Sequence, residues 1–294
     1  MIPTYFLSLL RFIFNIIVIV PILVLSDYEM AMAGKYISSW VKNNESRLRL
    51  ITNSEFVSAS GQTTIGLQLQ LNKGWKTYWR SPGAAGYPIS LNLENSVNLE
   101  NFKLFHPIPY RFSFFDMETF GYTREVIFPI NITTKDPLKD LYIKGSVSYL
   151  LCGTICIPRE EIVSIHLKPS ISYIKPSKTI LDSYIAKVPG LGAEKGLELT
   201  SAYLKEDYGN KKFVVIARST TDKFVDPDLI IEGPSGLEFS KPIITLGDNN
   251  KKASFVINVT NSSEDSFVIG KALTLSIIDG DRGLEIQEIV KFKP

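Results

Sequence analysis

The sequence predicts an all-β protein: two β-sandwiches joined by a linker that carries one short helix. Three observations point there. Apolar residues alternate with polar ones at period two over many short runs. Aromatic and β-branched residues are plentiful, whereas runs with helical spacing are rare. The 19 glycines and 16 prolines punctuate the runs at intervals suited to short strands. With 294 residues, 45% of them hydrophobic, the chain has material for two cores.

Residues 1–33 read as a separate element. After Arg11 comes "FIFNIIVIVPILVLS", apolar but for Asn15 and Pro21, and beyond "DYE" the step Ala31-Met32-Ala33 suits cleavage before Gly34. That is the pattern of a secretory signal. The alternative is an uncleaved anchor, since Tyr5 to Leu25 approaches the ~20 residues that span a bilayer. Arg11, Asn15 and Pro21 weaken it. Either way the chain is expected outside the cytoplasm, where a disulfide persists.

The first sandwich is expected over residues 34–168. "TTIGLQLQLNKGW" places Ile65, Leu67, Leu69 and Leu71 on one face; Ile89, Leu91 and Leu93 repeat the pattern, as do Val126, Phe128, Ile130 and Ile132. "LYIKGSVSYLLC" puts Leu141, Ile143, Val147, Tyr149 and Leu151 on one face, and Lys144, Ser146, Ser148 and Cys152 on the more polar one. "EEIVSIHLKP" follows as a further strand. Trp75, Tyr78 and Trp79 have two readings, flanking the cysteine pair or filling the core, and the area such side chains bury favours the core.

Residues 169–190 read as a linker, "PSISYIKPSK" and then a helix. Ser177 is its expected cap, Ile180, Leu181, Tyr184, Ile185 and Val188 its apolar face, and Pro189-Gly190 its stop. The second sandwich, residues 191–294, follows as "LELTSAYL", "KKFVVIARS", "PDLIIEG", "ASFVINVT", "ALTLSIIDG" and "LEIQEIVKF". Turn signals at Tyr208-Gly209-Asn210, Gly233-Pro234, Gly247-Asp248 and Asp279-Gly280 separate them.

Charge narrows the functional classes. The 32 basic and 30 acidic residues nearly cancel, with no basic block to track phosphates, which argues against nucleic acid. Both cysteines lie in "YLLCGTICIPRE", as Cys152 and Cys156. With Gly153 between them, the spacing suits a tight turn joining antiparallel strands, where facing residues come within bridging distance. As a staple such a bond is poor: about 2 kcal/mol for a loop of about five residues, against about 4.7 for about a hundred. That favours chemistry, namely thiol–disulfide exchange, in which a thiolate attacks one sulfur and the second thiol resolves the mixed disulfide. Ile157-Pro158 holds the chain extended beside Cys156, making it the better candidate for the accessible sulfur.

Two rival readings stay open. Paired thiolates at Cys152 and Cys156 suit Cu(I), which makes a copper-handling or copper-tolerance protein the alternative function. An adhesion-like module with an inert bridge is the third. The two histidines, His106 and His166, read as ordinary residues rather than ligands. Zinc lacks two further ligands, and Cys-x3-Cys is not the covalent-haem pattern, so no cofactor or resident metal is expected.

Three segments together carry a resemblance: "NKGWKTYWRSPGAAGYP" at 72–88, "GYTREVIFPINIT" at 121–133 and "CGTICIPRE" at 152–160. In this order and spacing they resemble the N-terminal periplasmic domain of the DsbD and ScsB thiol:disulfide interchange proteins, over about residues 45–168. The second sandwich is similar to the extra domain of ScsB-type regions, and the short gap between the cysteines is also ScsB-like. The resemblance implies an immunoglobulin-like fold and a thiol:disulfide oxidoreductase-like electron relay in the periplasm. A membrane-embedded thiol reductase would be the donor and periplasmic thioredoxin-like oxidoreductases the acceptors. It implies that Cys156 forms the mixed disulfide and Cys152 resolves it. It also implies a cap loop, here "YRFSFFDMETFGY" at 110–122, in which Phe114, Phe115 or Phe120 covers the sulfurs, with Asp116, Glu118 and Tyr122 nearby. A carboxylate beside a thiol would raise its pKa. Unlike the family's full-length members, this sequence shows no polytopic membrane domain and no thioredoxin domain after the sandwiches.

Overall fold

The computed structural model describes residues 37–114, 117–169, 179–190, 194–207, 210–234, 237–260 and 269–292. The expected signal or anchor, Ser177 and the side chains of Phe114, Phe115 and Asp116 lie outside the described residues. The strands of the first half are β1 (Val41–Lys42), β2 (Ser46–Thr52), β3 (Phe56–Val57), β4 (Gln62–Leu71), β5 (Lys76–Gly83), β6 (Ser90–Asn92), β7 (Leu99–Leu104), β8 (Tyr110–Phe114), β9 (Met117–Thr123), β10 (Glu125–Thr134), β11 (Leu141–Cys152) and β12 (Cys156–Pro169). A short helix, α1 (Ile180–Ile185), follows. Then come β13 (Leu197–Asp207), β14 (Asn210–Ser219), β15 (Pro227–Glu232), β16 (Glu238–Phe239), β17 (Ile243–Gly247), β18 (Lys252–Thr260), β19 (Ala272–Asp279) and β20 (Arg282–Ile289).

The architecture is nearly all-β and immunoglobulin-like. One sheet of the first sandwich runs β1-β2-β4-β10-β7; the facing sheet runs β3-β12-β11-β5-β9-β8, with β6 on β11. Period-two alternation builds the core between them. Leu67 lies opposite Phe128 and Leu69 opposite Val126 on neighbouring strands, and all four are fully buried. They meet Leu141, Ile143, Val147, Tyr149 and Leu151 of β11 across the sandwich. Each large side chain so buried contributes roughly 1.5–3 kcal/mol. The second sandwich pairs β13-β14-β18-β16, with β17 on β18, against β15-β19-β20 around Phe213, Phe255, Leu275 and Ile277.

Several expectations need correction. Thr179, not Ser177, caps α1: its hydroxyl accepts from Leu181 N while Asp182 accepts from the Thr179 amide, a reciprocal capping box. The strand after the cysteine turn begins at Cys156 rather than Glu160. β16 and β17 were not foreseen, being short and weakly patterned. Tyr78 is buried but absent from the inter-sheet core that holds Trp79, because consecutive residues of β5 face opposite ways.

The two sandwiches share a junction. Leu229 of β15 and Ile277 of β19 point into the second core, whereas Ile230 and Ile278 join the core cluster of the first. A side chain at Gly283 would come within 2.8 Å of Ile108, so glycine permits this close approach. Ion pairs flank the apolar contact: Arg80 with Glu232 and Glu285, Arg111 with Asp228, and Lys187 with Asp281.

Within the second sandwich, Arg282 is a buried charge with satisfied donors. It pairs with Asp279 and donates to Ser219 Oγ (2.7 Å), the Asp222 carbonyl (3.3 Å) and the Lys223 carbonyl (3.1 Å). The other Asp279 oxygen accepts from the amides of Val225 and Asp226. Removing the cation strands a carboxylate in a residue only 5% exposed. Arg282→Ala should therefore cost about 3–5 kcal/mol, read as a fall in the urea midpoint; a loss under about 1 kcal/mol would contradict this account.

Candidate functional site

β11 and β12 pair antiparallel along their whole length, and the last matched pair is Cys152 with Cys156. Their sulfurs are bonded at 2.02 Å, with Cα atoms 4.1 Å apart. The turn closes with Gly153 N donating to the Ile155 carbonyl at 2.9 Å. That bond marks Gly153–Ile155 as the hydrogen-bonded position, and by alternation Cys152–Cys156 is a non-hydrogen-bonded pair, the kind that brings side chains closest. The same parity sets Leu150 opposite Pro158 in a non-bonded pair, so the amide that proline lacks is not missed by β11. Leu150's carbonyl turns instead toward β5 and accepts from the Thr77 hydroxyl, 3.0 Å. The turn does not depend on Gly153, whose φ is not positive and where a Cβ would make ordinary contacts with the Trp75 ring at 3.5 Å.

The two cysteines differ sharply in exposure. Cys152 is 0% exposed, whereas Cys156 is exposed. Cys152 was expected on the more polar side of β11; it does face away from the inter-sheet core, but something covers it. Its partner in register on β5 is Lys76, whose ammonium lies 4.4 Å above the Phe112 ring. Phe112 in turn sits 6.1 Å from Tyr78. Tyr78 is 0% exposed with an unpartnered hydroxyl, and burial raises its pKa, so the phenol stays neutral. On its outer side β12 forms a ladder only at Lys168–Pro169, where β3 pairs; among the described residues the edge at Cys156 has no strand hydrogen-bonded to it, while farther along Arg159 and Glu161 reach Glu45 and Asn43.

The stretch expected as a cap is the β8–β9 hairpin. Of its six expected residues, Phe114, Phe115 and Asp116 have no described side chains. Phe120 and Tyr122 do not lie over the sulfurs: both pack with the first core, and the Tyr122 hydroxyl donates to the Pro107 carbonyl at 2.7 Å. Glu118 pairs with Arg111 at 2.7 Å. The charged residue in register with Cys152 is a cation, Lys76; of the two carboxylates expected near the sulfurs, Glu118 is held by Arg111 and Asp116 lies outside the described residues. A nearby cation favours a thiolate rather than opposing it. Among the described side chains of the hairpin, the aromatic that meets Tyr78 and Lys76 on the cysteine side is Phe112, which sequence reasoning missed. The alternation along "YRFSFF" could have found it, because it separates Arg111 from Phe112.

The two histidines make other contacts, apart from the cysteine pair. His166 bonds Asp140 at 2.7 Å and stacks on Tyr142 at 4.1 Å. His106 sits edge-on to Phe128, 5.5 Å between centroids, with Nε2 buried and unpartnered. Among the described residues no three His, Cys, Asp or Glu side chains cluster as a metal site would require. Nor is any described helix long and apolar enough to cross a membrane.

Comparison with known proteins fits this geometry. Residues 49–167 match the family model described as thiol:disulfide interchange protein DsbD, N-terminal, and residues 187–293 match a domain of unknown function, DUF8393. The fold is similar to the crystal structure of the N-terminal periplasmic domain of ScsB from Proteus mirabilis: TM-score 0.67 at 22% identity, over 88% of this chain and 100% of that one. The YadV chaperone superposes over 77% of this chain and 91% of its own with a TM-score of 0.21 at 10% identity, too low to bear on the fold. No curated protein matches the chain. The first sandwich is thus similar to the N-terminal domain of the DsbD thiol:disulfide interchange proteins, and its fold to that of the ScsB domain.

Two outcomes follow from the site. In the reduced protein, an alkylating agent should label Cys156 at least about tenfold faster than Cys152, measured by peptide mass spectrometry; equal rates would contradict the burial difference. Burial first, and the Arg80 charge second, lower the His106 pKa to about 4. The unfolded chain, with its histidine near about 6.5, binds the proton more readily, so this stabilisation is complete above about pH 6.5 and fades as pH falls toward 4. His106→Phe should shrink the stability difference between pH 7 and 4.5 by about 2 kcal/mol, measured by urea unfolding.

Proposed function

We propose that the protein is a periplasmic thiol–disulfide relay, exported by its N-terminal segment, in which Cys156 exchanges with partners and Cys152 resolves. One observation carries the reading: a bonded cysteine pair of which one residue, Cys156, is exposed while the other, Cys152, is fully buried.

The chemistry balances within the pair and a partner. In the reduced relay, the Cys156 thiolate attacks a partner disulfide. A bond forms between Cys156 Sγ and one partner sulfur, and the partner's own S–S bond breaks, releasing its second sulfur as thiolate. The Cys152 thiolate then attacks Cys156 Sγ, restoring the internal bond and releasing the partner as a dithiol. Two electrons pass to the partner, which gains the two protons the relay sheds. A membrane-embedded thiol reductase, acting as donor, resets the pair by the reverse sequence. Thioredoxin-like periplasmic oxidoreductases suit the acceptor side. By the ladder parity, the backbone N–H and C=O of Cys156 point to the open edge of β12, where an extended partner segment can pair beside the reacting sulfur.

The β8–β9 hairpin supports this reading as a cover. It sets Phe112 on the cysteine side of the sheet, against Tyr78 and Lys76. Lys76, aligned with Cys152, favours the departing thiolate when the internal bond opens.

Cys152→Ala removes the resolving sulfur. Cells expressing it should accumulate a disulfide-linked complex through Cys156, visible on non-reducing gels, absent after dithiothreitol, and absent in Cys156→Ala. If no covalent complex forms where a control trap succeeds, the relay is wrong.

A further inference from the structure

We propose that the second sandwich is the seat of the β8–β9 hairpin: through Asp228 it grips Arg111 and so governs how readily the cysteine pair is reached. The second half of this statement rests on the exchange reading above; the grip itself does not.

Neighbouring residues on a strand face opposite ways, and β8 uses both faces. Phe112 points to the cysteine side, against Tyr78 and under the Lys76 ammonium. Arg111 points to the second sandwich. There its guanidinium makes two 2.8 Å bonds to the Asp228 carboxylate and one of 2.9 Å to the Leu229 carbonyl. A fourth bond, 2.7 Å, reaches Glu118 on β9, and the guanidinium lies 4.7 Å above the Phe120 ring. Only 13% of the Arg111 side chain is exposed. Planar bidentate pairing fixes direction as well as charge, which a lone surface ion pair does not. Phe120 packs in the same cluster as Ile230 and Ile278, so the face of the hairpin away from the cysteines is covered by β15 and β19.

The hairpin needs such a grip. Among the described residues β8 is the terminal strand of its sheet, bonded to β9 alone. β9 in turn holds β5 through a ladder broken between Tyr78 and Gly83. A terminal ribbon on an interrupted ladder moves easily unless something else ties it. Arg111 ties it at the residue next to Phe112, so a shift that lifts the aromatic must also stretch the bonds to Asp228. The second sandwich therefore sets the ease of opening without touching either sulfur.

The test uses the full chain with Asp228→Asn, which keeps the shape and removes the charge, and Arg111→Lys, which keeps the charge and loses the fork. Hydrogen–deuterium exchange over residues 110–123 reports the grip; the rate of disulfide reduction by dithiothreitol reports its effect on the pair. Both should rise about tenfold in Asp228→Asn, a typical coupling between sites, and by a smaller factor in Arg111→Lys. Glu285→Gln weakens the same junction through Arg80 and should leave the hairpin at its original exchange rate. Unchanged hairpin exchange in both Asp228→Asn and Arg111→Lys overturns the grip, as does an equal rise in Glu285→Gln. Faster hairpin exchange with an unchanged reduction rate overturns its control of the cysteines. If Cys156 instead fails to trap any partner, the relay reading falls, while hydrogen exchange still decides the grip.

Discussion

The register of β11 on β12 is the constraint on which the site depends. Side chains on paired strands alternate, so a slip of one residue would send Cys152 opposite a neighbour of Cys156 and turn the sulfurs to different faces. The core prevents that slip. Leu141, Ile143, Val147, Tyr149 and Leu151 all face inward and are buried, and any shift would drive them outward together. Tyr149 adds a polar lock: its hydroxyl meets Asn43 and Ser46 on the facing sheet. Ordinary packing thus brings two sulfurs into line at the end of a ladder, with no special local conformation required.

Much of this was legible in the sequence. The alternation in "LYIKGSVSYLLC" named the inward residues and placed Cys152 on the other face; "CIP" marked an extended exit for the accessible sulfur. What spacing does not carry is which distant strands meet. Lys76 and Cys152 are far apart in the chain and become neighbours only through one ladder position. Phe112 gains its meaning from Tyr78 and Lys76, and Cys152 its burial from segments elsewhere in the sequence. Ser177 lost the cap to Thr179 because only Thr179 has an acidic residue, Asp182, three positions on to complete the reciprocal bond.

The junction between the sandwiches had a signal that period-two reasoning passes over. "DLIIE" and "LSIID" run apolar on consecutive residues, the mark of strands buried on both faces. β15 and β19 are such strands: one face fills the second core and the other closes the first. Arginines handle the polar rim. Arg80 lies over Trp79 at 4.3 Å while its charge is met by two glutamates, so desolvation is offset by paired bonds.

The smallness of the ring closed by Cys152 and Cys156 has a consequence for turnover. Cutting the bond frees only a few residues at the rim of a ladder whose inner side chains stay packed, so the two oxidation states share one scaffold. On the relay reading the molecule is a rigid frame with a latch, which opens and closes while the frame keeps its packing.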